Sequence, residues 1–244
     1  MQARARSVAL AISLTQRIKS RARKRWRRLR DSLDRRVPTI FASPVEKFTR
    51  AGHNELLLSF NHLKTASTVV EVGGYRGGWG LEMAKRYRCN VEIFEPIKSF
   101  ASDIRTLANG NEKIQLHEFA LGDTDSTATF FLSGDGSGEF RGGQPAEVEI
   151  RRPTAQNFPV FGEKISVMLV NIEGGEYRLL SELIENAVIQ TIEVLLVQFH
   201  RTVPGYRMKR RQLTSQLSRT HTRVFCFFLV WEKWVLKTES AQTG

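Results

Sequence analysis

The chain has 244 residues, 41% hydrophobic and 9% aromatic, with a net charge of +12 and two cysteines, Cys89 and Cys226. That composition excludes a disordered chain, a disulfide framework and a His/Cys structural zinc site, so no metal is expected. No run of 18 apolar residues is present, which argues against a transmembrane helix.

The charge is not spread evenly. Residues 1–36 carry thirteen Lys/Arg against Asp31 and Asp34, a net of +11, whereas the other 208 residues carry 24 basic and 23 acidic groups, a net of +1. The basicity therefore belongs to an N-terminal extension, residues 1–37, and residues 38–244 are expected to form one domain. Within the extension Val8, Ile12, Ile18, Ala22, Trp26, Leu29 and Leu33 recur at intervals compatible with one helical face, with arginines elsewhere. A basic amphipathic helix of this kind suits an anionic membrane surface through residues 4–36; the plainer alternative is a solvated basic tail. Nucleic acid is expected less, because aromatic residues are not interleaved for base stacking. Val8 to Leu14 is apolar and follows two arginines, but an Arg/Lys block stands where a signal peptide would have its cleavage site. The expected location is cytoplasmic, peripheral at the inner membrane surface if the helix binds there. Val37-Pro38 ends the segment, since proline cannot continue a helix.

Ser43-Pro44-Val45-Glu46 reads as a helix start, with a helix to about Leu63. Strand and helix then alternate. Strands are expected at 68–72, 91–94, 114–119, 165–170 and 192–199, and helices at 79–87, 97–108, 176–184 and 208–217. Residues 127–132 and 147–151 look extended. Between them residues 133–144 hold five glycines and read as a loop. Residues 223–230 and 232–237 are expected to form an antiparallel pair. The alternation predicts an α/β fold, doubly wound around a mostly parallel seven-stranded sheet.

Three segments carry chemistry. The first is VVEVGGYRGG at 69–78: a strand, an acid (Glu71), then Gly73, Gly74, Tyr75 and Gly77 opening a helix. Glycines let the backbone turn tightly and approach a ligand, and the helix start offers free amides. The dinucleotide fingerprint is absent, because Tyr75 stands where its second glycine belongs. Glu71 can accept hydrogen bonds from a cationic amino group; a merely structural turn is the alternative. The second segment, VEIFEP at 91–96, puts Glu95 at a strand end, 22 residues after Gly73, where a carboxylate can accept both ribose hydroxyls. A helix-capping acid is the alternative there. The third, VNIEGGEYRLL at 170–180, clusters Asn171, Glu173 and Glu176 beside glycines at another strand end.

With FALGDTDS at 119–126, these motifs in this order resemble the FkbM family of S-adenosylmethionine-dependent methyltransferases. The resemblance covers roughly residues 66–237. It implies a Rossmann-like class I methyltransferase fold, S-adenosyl-L-methionine as cofactor, and O-methylation of a sugar or natural-product hydroxyl, hence a small-molecule or glycan acceptor. Asn171 stands where that family usually has Asp, which removes a charge and any role as a base; Glu71 replaces its commoner Asp. Leu121 and Asp123 are expected to border the adenine. His200, at the end of the strand 192–199, is the candidate proton acceptor, with a histidine bonded to backbone as the equal alternative. Glu173 and Asn171 complete the candidate catalytic set. Trp231 and Trp234 read as core or edge residues rather than a substrate platform, and His221 as a cap between helix and strand. Two rivals remain open: a nucleotide-dependent oxidoreductase on a similar fold, and a cofactor-binding scaffold without catalysis.

Overall fold

The computed structural model describes residues 42–133, 136–138 and 144–238. The expected amphipathic helix and its membrane contact lie outside the described residues. Lys47 closes the first of two units and Phe48 opens the second.

Ser43 and Glu46 form a reciprocal capping box. The Ser43 N–H donates to Glu46 Oε2 at 2.7 Å, and the Glu46 N–H donates to Ser43 Oγ at 3.2 Å. With Pro44 at its first position this starts helix α1 (Pro44–Arg50). The single helix expected to reach Leu63 does not form. Gly52 adopts φ 78°, which breaks the helix, and a separate α2 (His53–Leu58) follows.

Eleven strands follow among the described residues: β1 (Thr68–Val72), β2 (Asn90–Phe94), β3 (Ile114–His117), β4 (Ala120–Leu121), β5 (Ser126–Ser133), β6 (Gly136–Gly138), β7 (Gln144–Arg151), β8 (Val167–Val170), β9 (Val194–Val197), β10 (His221–Phe227) and β11 (Trp231–Leu236). The helices between them are α3 (Gly78–Tyr87), α4 (Lys98–Ala108), α5 (Glu176–Glu185) and α6 (Tyr206–Thr220). The main sheet has seven strands in the order β10-β11-β9-β8-β1-β2-β3. The run from β9 to β3 is parallel, and β11 and β10 are each antiparallel to the preceding neighbour. This is the doubly wound, mostly parallel seven-stranded α/β fold expected from the sequence.

Both faces of the sheet are covered, which is why β8 and β9 are apolar throughout rather than alternating. Side chains alternate between two cores. Val70, Val72, Met168, Val170 and Leu195 pack with Leu179, Leu183, Leu213 and Leu217 of α5 and α6. Val69, Val91, Ile93, Val167 and Leu196 pack with Met83 and Ala84 of α3 and Ile104 of α4. Trp234 is fully buried, as expected of a core residue. His221 is buried as well, its ring bonded to Thr220 Oγ1 and to the Ile192 carbonyl.

The sequence reading missed a second sheet, of order β4-β7-β5-β6. The strand expected at 114–119 ends at His117, and Ala120–Leu121 instead pairs in parallel with β7. Part of the glycine-rich segment read as a loop is strand β6, paired with the end of β5. Backbone pairing needs no side chain, so glycines there gave no strand signal. Among the described residues no helix is long and apolar enough to cross a membrane.

Candidate functional site

The chain order of the sheet reverses between β1 and β8, and in open α/β sheets ligands bind outside the carboxyl ends of the strands at such a point. A cavity of about 800 Å³ of empty space, partly open to solvent, lies there. One wall comes from the ends of β1, β2 and β8 and carries Gly73, Tyr75, Glu95, Asn171 and Glu173. The lining also includes apolar side chains: Phe94 at the end of β2, Phe100, and Leu121, Phe130 and Ile150 from the second sheet.

The turn after β1 is tightly wound, with Gly73, Tyr75 and Gly77 all at positive φ (89°, 47° and 76°). Gly73 has no substitute: a Cβ there would lie 2.1 Å from the carbonyl oxygen of Asn171. Tyr75 adopts the same left-handed conformation without glycine's freedom, a strain that its surroundings must hold. Two contacts do so. Its N–H donates to Glu95 Oε2 at 2.7 Å, and its ring packs edge-on against Phe100, with centroids 4.7 Å apart.

Glu95 therefore serves the protein and the cavity at once. Its second oxygen, Oε1, accepts the Ile97 N–H at 2.8 Å. Burial pushes its carboxyl up to about 7, against the two backbone bonds that favour the ionised form. Glu71 is different. It was expected to face a ligand, but it does not line the cavity. Its Oε2 accepts the Gly80 N–H at 2.9 Å, beneath the first turn of α3. Burial pushes its carboxyl up to about 8; the Gly80 bond opposes this and the neighbouring Glu95 adds to it.

At the end of β8 the Asn171 N–H bonds to the Val72 carbonyl at 3.0 Å. Its side-chain Oδ1 is buried and has no hydrogen-bond partner among the described residues. Beyond it Glu173 and Gly174 take positive φ (52° and 116°). Glu176 is completely buried and fastens this turn to the segment after β9. Its Oε2 accepts the Gly174 N–H at 2.7 Å and its Oε1 the His200 N–H at 2.7 Å. The His200 ring lies between two carboxylates, with Nδ1 3.3 Å from Glu176 Oε1 and Nε2 3.6 Å from Glu173 Oε2. The Tyr177 hydroxyl donates to the His200 carbonyl at 2.7 Å.

Of the candidate residues, Gly73, Tyr75, Glu95, Leu121, Asn171 and Glu173 meet around the cavity, whereas Glu71, Gly74, Gly77, Asp123 and His200 do not line it. Gly74 packs against the core, where a Cβ would lie 2.5 Å from Ile93 Cγ2, and Asp123 faces a groove elsewhere. Sequence reasoning missed Phe100, Phe130, Ile150 and Arg178, all of which line the cavity. A signal for Phe130 and Ile150 was present. Thr127-Ala128-Thr129-Phe130 and Ala146-Glu147-Val148-Glu149-Ile150 alternate polar and apolar, and the threonines and glutamates are exposed. Among the described residues no group of His, Cys, Asp and Glu is arranged to hold a metal ion.

No family model matches the sequence, and no curated protein matches it. Solved structures are similar in fold at low identity. The fibrillarin pre-rRNA processing protein of Methanococcus jannaschii aligns at 10% identity and TM-score 0.44, over 75% of this chain and 71% of that one. An rRNA methylase from Streptococcus thermophilus aligns at 12% identity and TM-score 0.45, over 82% and 100%. An SAH-bound methyltransferase from Podospora anserina aligns at 9% identity and TM-score 0.42, over 70% and 72%. The expectation that set nucleic acid aside is withdrawn: the structures this fold matches include rRNA methylases and a 23S rRNA methyltransferase.

Proposed function

We propose that the chain is an S-adenosylmethionine-dependent methyltransferase whose cofactor lies in the cavity at the ends of β1, β2 and β8. The observation that carries this reading is the pairing, in one cavity, of a buried Asn171 Oδ1 that has no hydrogen-bond partner among the described residues with the carboxyl of Glu95. A buried acceptor left unpaired costs about 1–3 kcal/mol, so the site fits a ligand that brings donors. Ribose hydroxyls and a cationic amino group are such donors, and the Phe94–Phe100–Phe130 side suits a flat aromatic base. A dinucleotide fits less well. Its pyrophosphate needs the amides at a helix start, but the start of α3 is not part of the cavity, and the protein's own Glu71 takes the Gly80 amide.

S-adenosylmethionine supplies an activated methyl group on its sulfonium; the residues of this chain would bind, orient and exclude water. Glu95 would hold the ribose, the Gly73–Tyr75 turn would admit the methionine portion, and Asn171 with Glu173 would orient the acceptor. Asn171 carries no charge and takes no proton. Within this class the motif run at 69–78, 91–96 and 170–180 favours an FkbM-type reaction, in which a hydroxyl oxygen receives the methyl group.

Titration calorimetry of the full chain with S-adenosylmethionine, S-adenosylhomocysteine and NADH tests the proposal against both rivals. The two sulfur ligands should bind. Glu95→Ala should weaken them by about 1–3 kcal/mol, the cost of unpaired hydroxyls. Binding of NADH in their place would sink the methyltransferase reading. Binding without methyl transfer to any hydroxyl acceptor would favour the scaffold.

A further inference from the structure

A second concavity lies between α5 and α6, with Asp123 at its edge. On α6 its wall includes Lys209, Gln212 and Gln216, about one and two helical turns apart on a single face, with Arg211 flanking that face. On α5 it includes Arg178, which also lines the first cavity. Lys209 and Arg211 are exposed, and neither has an ion pair among the described residues. Lys209 and Arg211 against the single carboxylate of Asp123 leave the groove with a net positive charge. The two carboxamides add neutral donors and acceptors.

We propose that this groove binds the sugar–phosphate backbone of a single-stranded polynucleotide, with Arg178 at the passage from the groove to the cavity; its link to methyl transfer rests on the function proposed above. Guanidinium and ammonium groups suit phosphate oxygens, and carboxamides suit sugar and base edges. The face from Lys209 to Gln216 is about 10 Å long at about 1.5 Å per residue, roughly the rise of three stacked nucleotides at about 3.4 Å each. A lipid surface is the poorer fit. A membrane-binding face is convex and broadly apolar, whereas this one is concave and Met208 is the one strongly exposed large apolar residue in its wall.

The test uses the full chain, so that the basic residues 1–36 contribute equally to every sample. Fluorescence anisotropy with labelled twelve-nucleotide oligouridylate and oligothymidylate is measured from 50 to 200 mM salt, for wild type and for the Lys209→Gln/Arg211→Gln double variant. Each phosphate contact on a single strand contributes about 0.7 to the salt slope. Losing two should lower the slope by about 1.4, so binding of the double variant falls about sevenfold less over that salt range. Ultraviolet cross-links should map to α6, and comparison of the two oligonucleotides tells which sugar is preferred. An unchanged slope, or cross-links confined to residues 1–36, overturns the proposal. So does a double variant that loses only phosphatidylglycerol-vesicle binding. Calorimetry with S-adenosylhomocysteine on the same samples separates the two claims. Unaltered affinity with a changed slope supports both, and a changed slope with no cofactor binding at all leaves the groove standing and removes the cofactor.

Discussion

Glu71→Gln isolates the consequence of burying a carboxyl under the glycine-rich turn. Glu71 is 3% exposed, and burial raises it from an ordinary 4.5 to about 8. A carboxyl with a raised folded-state pKa holds its proton in the native chain while the unfolded chain has released it. Its contribution to stability is therefore complete below about pH 4.5 and is lost as pH rises through about 8. Between pH 5 and 8 the native state carries about one extra proton, so unfolding free energy falls by about 1.4 kcal/mol per pH unit from this group. Over three units that is roughly 4 kcal/mol, an order-of-magnitude figure. The glutamine carbonyl can still accept the Gly80 N–H, since only one Glu71 oxygen is engaged by it. Urea unfolding followed by tryptophan fluorescence at pH 5, 6, 7 and 8 reads the effect. Relative to wild type, the variant should gain stability steadily with pH, reaching several kcal/mol more at pH 8 than at pH 5. A difference that stays flat across this range refutes the reasoning, because it would mean that Glu71 ionises alike in both states.

Glu95 should make cofactor affinity depend on pH: its carboxyl sits at about 7, and a cationic, hydroxyl-bearing ligand favours the ionised form. Calorimetry should show S-adenosylmethionine binding tighten by about fivefold from pH 6 to 7 and by up to about tenfold in all as it levels off near pH 8, a limb that Glu95→Ala abolishes. Asn171→Leu should move stability and function in opposite directions. Thermal unfolding should show a gain of about 1 kcal/mol or more from removing the unpaired Oδ1, while S-adenosylhomocysteine affinity or methyl transfer falls; a variant that loses stability would show that Oδ1 was satisfied. His200→Gln should cost about 1 kcal/mol of stability and leave cofactor affinity and the shape of the pH–rate profile unchanged, because the ring lies between Glu173 and Glu176 and not on the cavity wall. Loss of the limb that rises with pH would restore it as the proton acceptor.

The parts of this fold legible in sequence are those set by local pattern. β8 and β9 are wholly apolar, and β1 and β2 largely so, because both sheet faces are covered, and Glu95 was placed by its distance from Gly73 and its position at a strand end. What escaped depends on long-range pairing. Phe130 and Ile150 reach the cavity only because β5 pairs with β7 across the glycine-rich segment. His200 fell on the expected strand end, but where its ring goes is decided by Glu176, 24 residues earlier in the chain. Glu71 shows a different limit. An acid before a glycine-rich turn can serve a ligand or the following helix start, and the sequence position is the same for both. The backbone's approach to Gly80 decides between them.

Three buried carboxylates underlie the site, and their hydrogen bonds give them different chemistry. Glu176 has both oxygens on backbone amides, from Gly174 and His200, and fixes the turn after β8 from outside the cavity. Glu95 also has both oxygens on backbone amides, from Tyr75 and Ile97, yet it faces the cavity. An amide in its place would set an N–H against an N–H, so a glutamine there would disturb the strained Tyr75 turn as well as the ligand. Binding and loop geometry are therefore inseparable by substitution at Glu95. Protonation separates them better: a neutral carboxyl keeps its size and both oxygens while losing the charge. The pH dependence of affinity thus reads the charge of Glu95 alone, where a mutant reads charge and turn together. Glu71, raised to about 8, titrates over an overlapping range, so Glu71→Gln is the background in which to measure it.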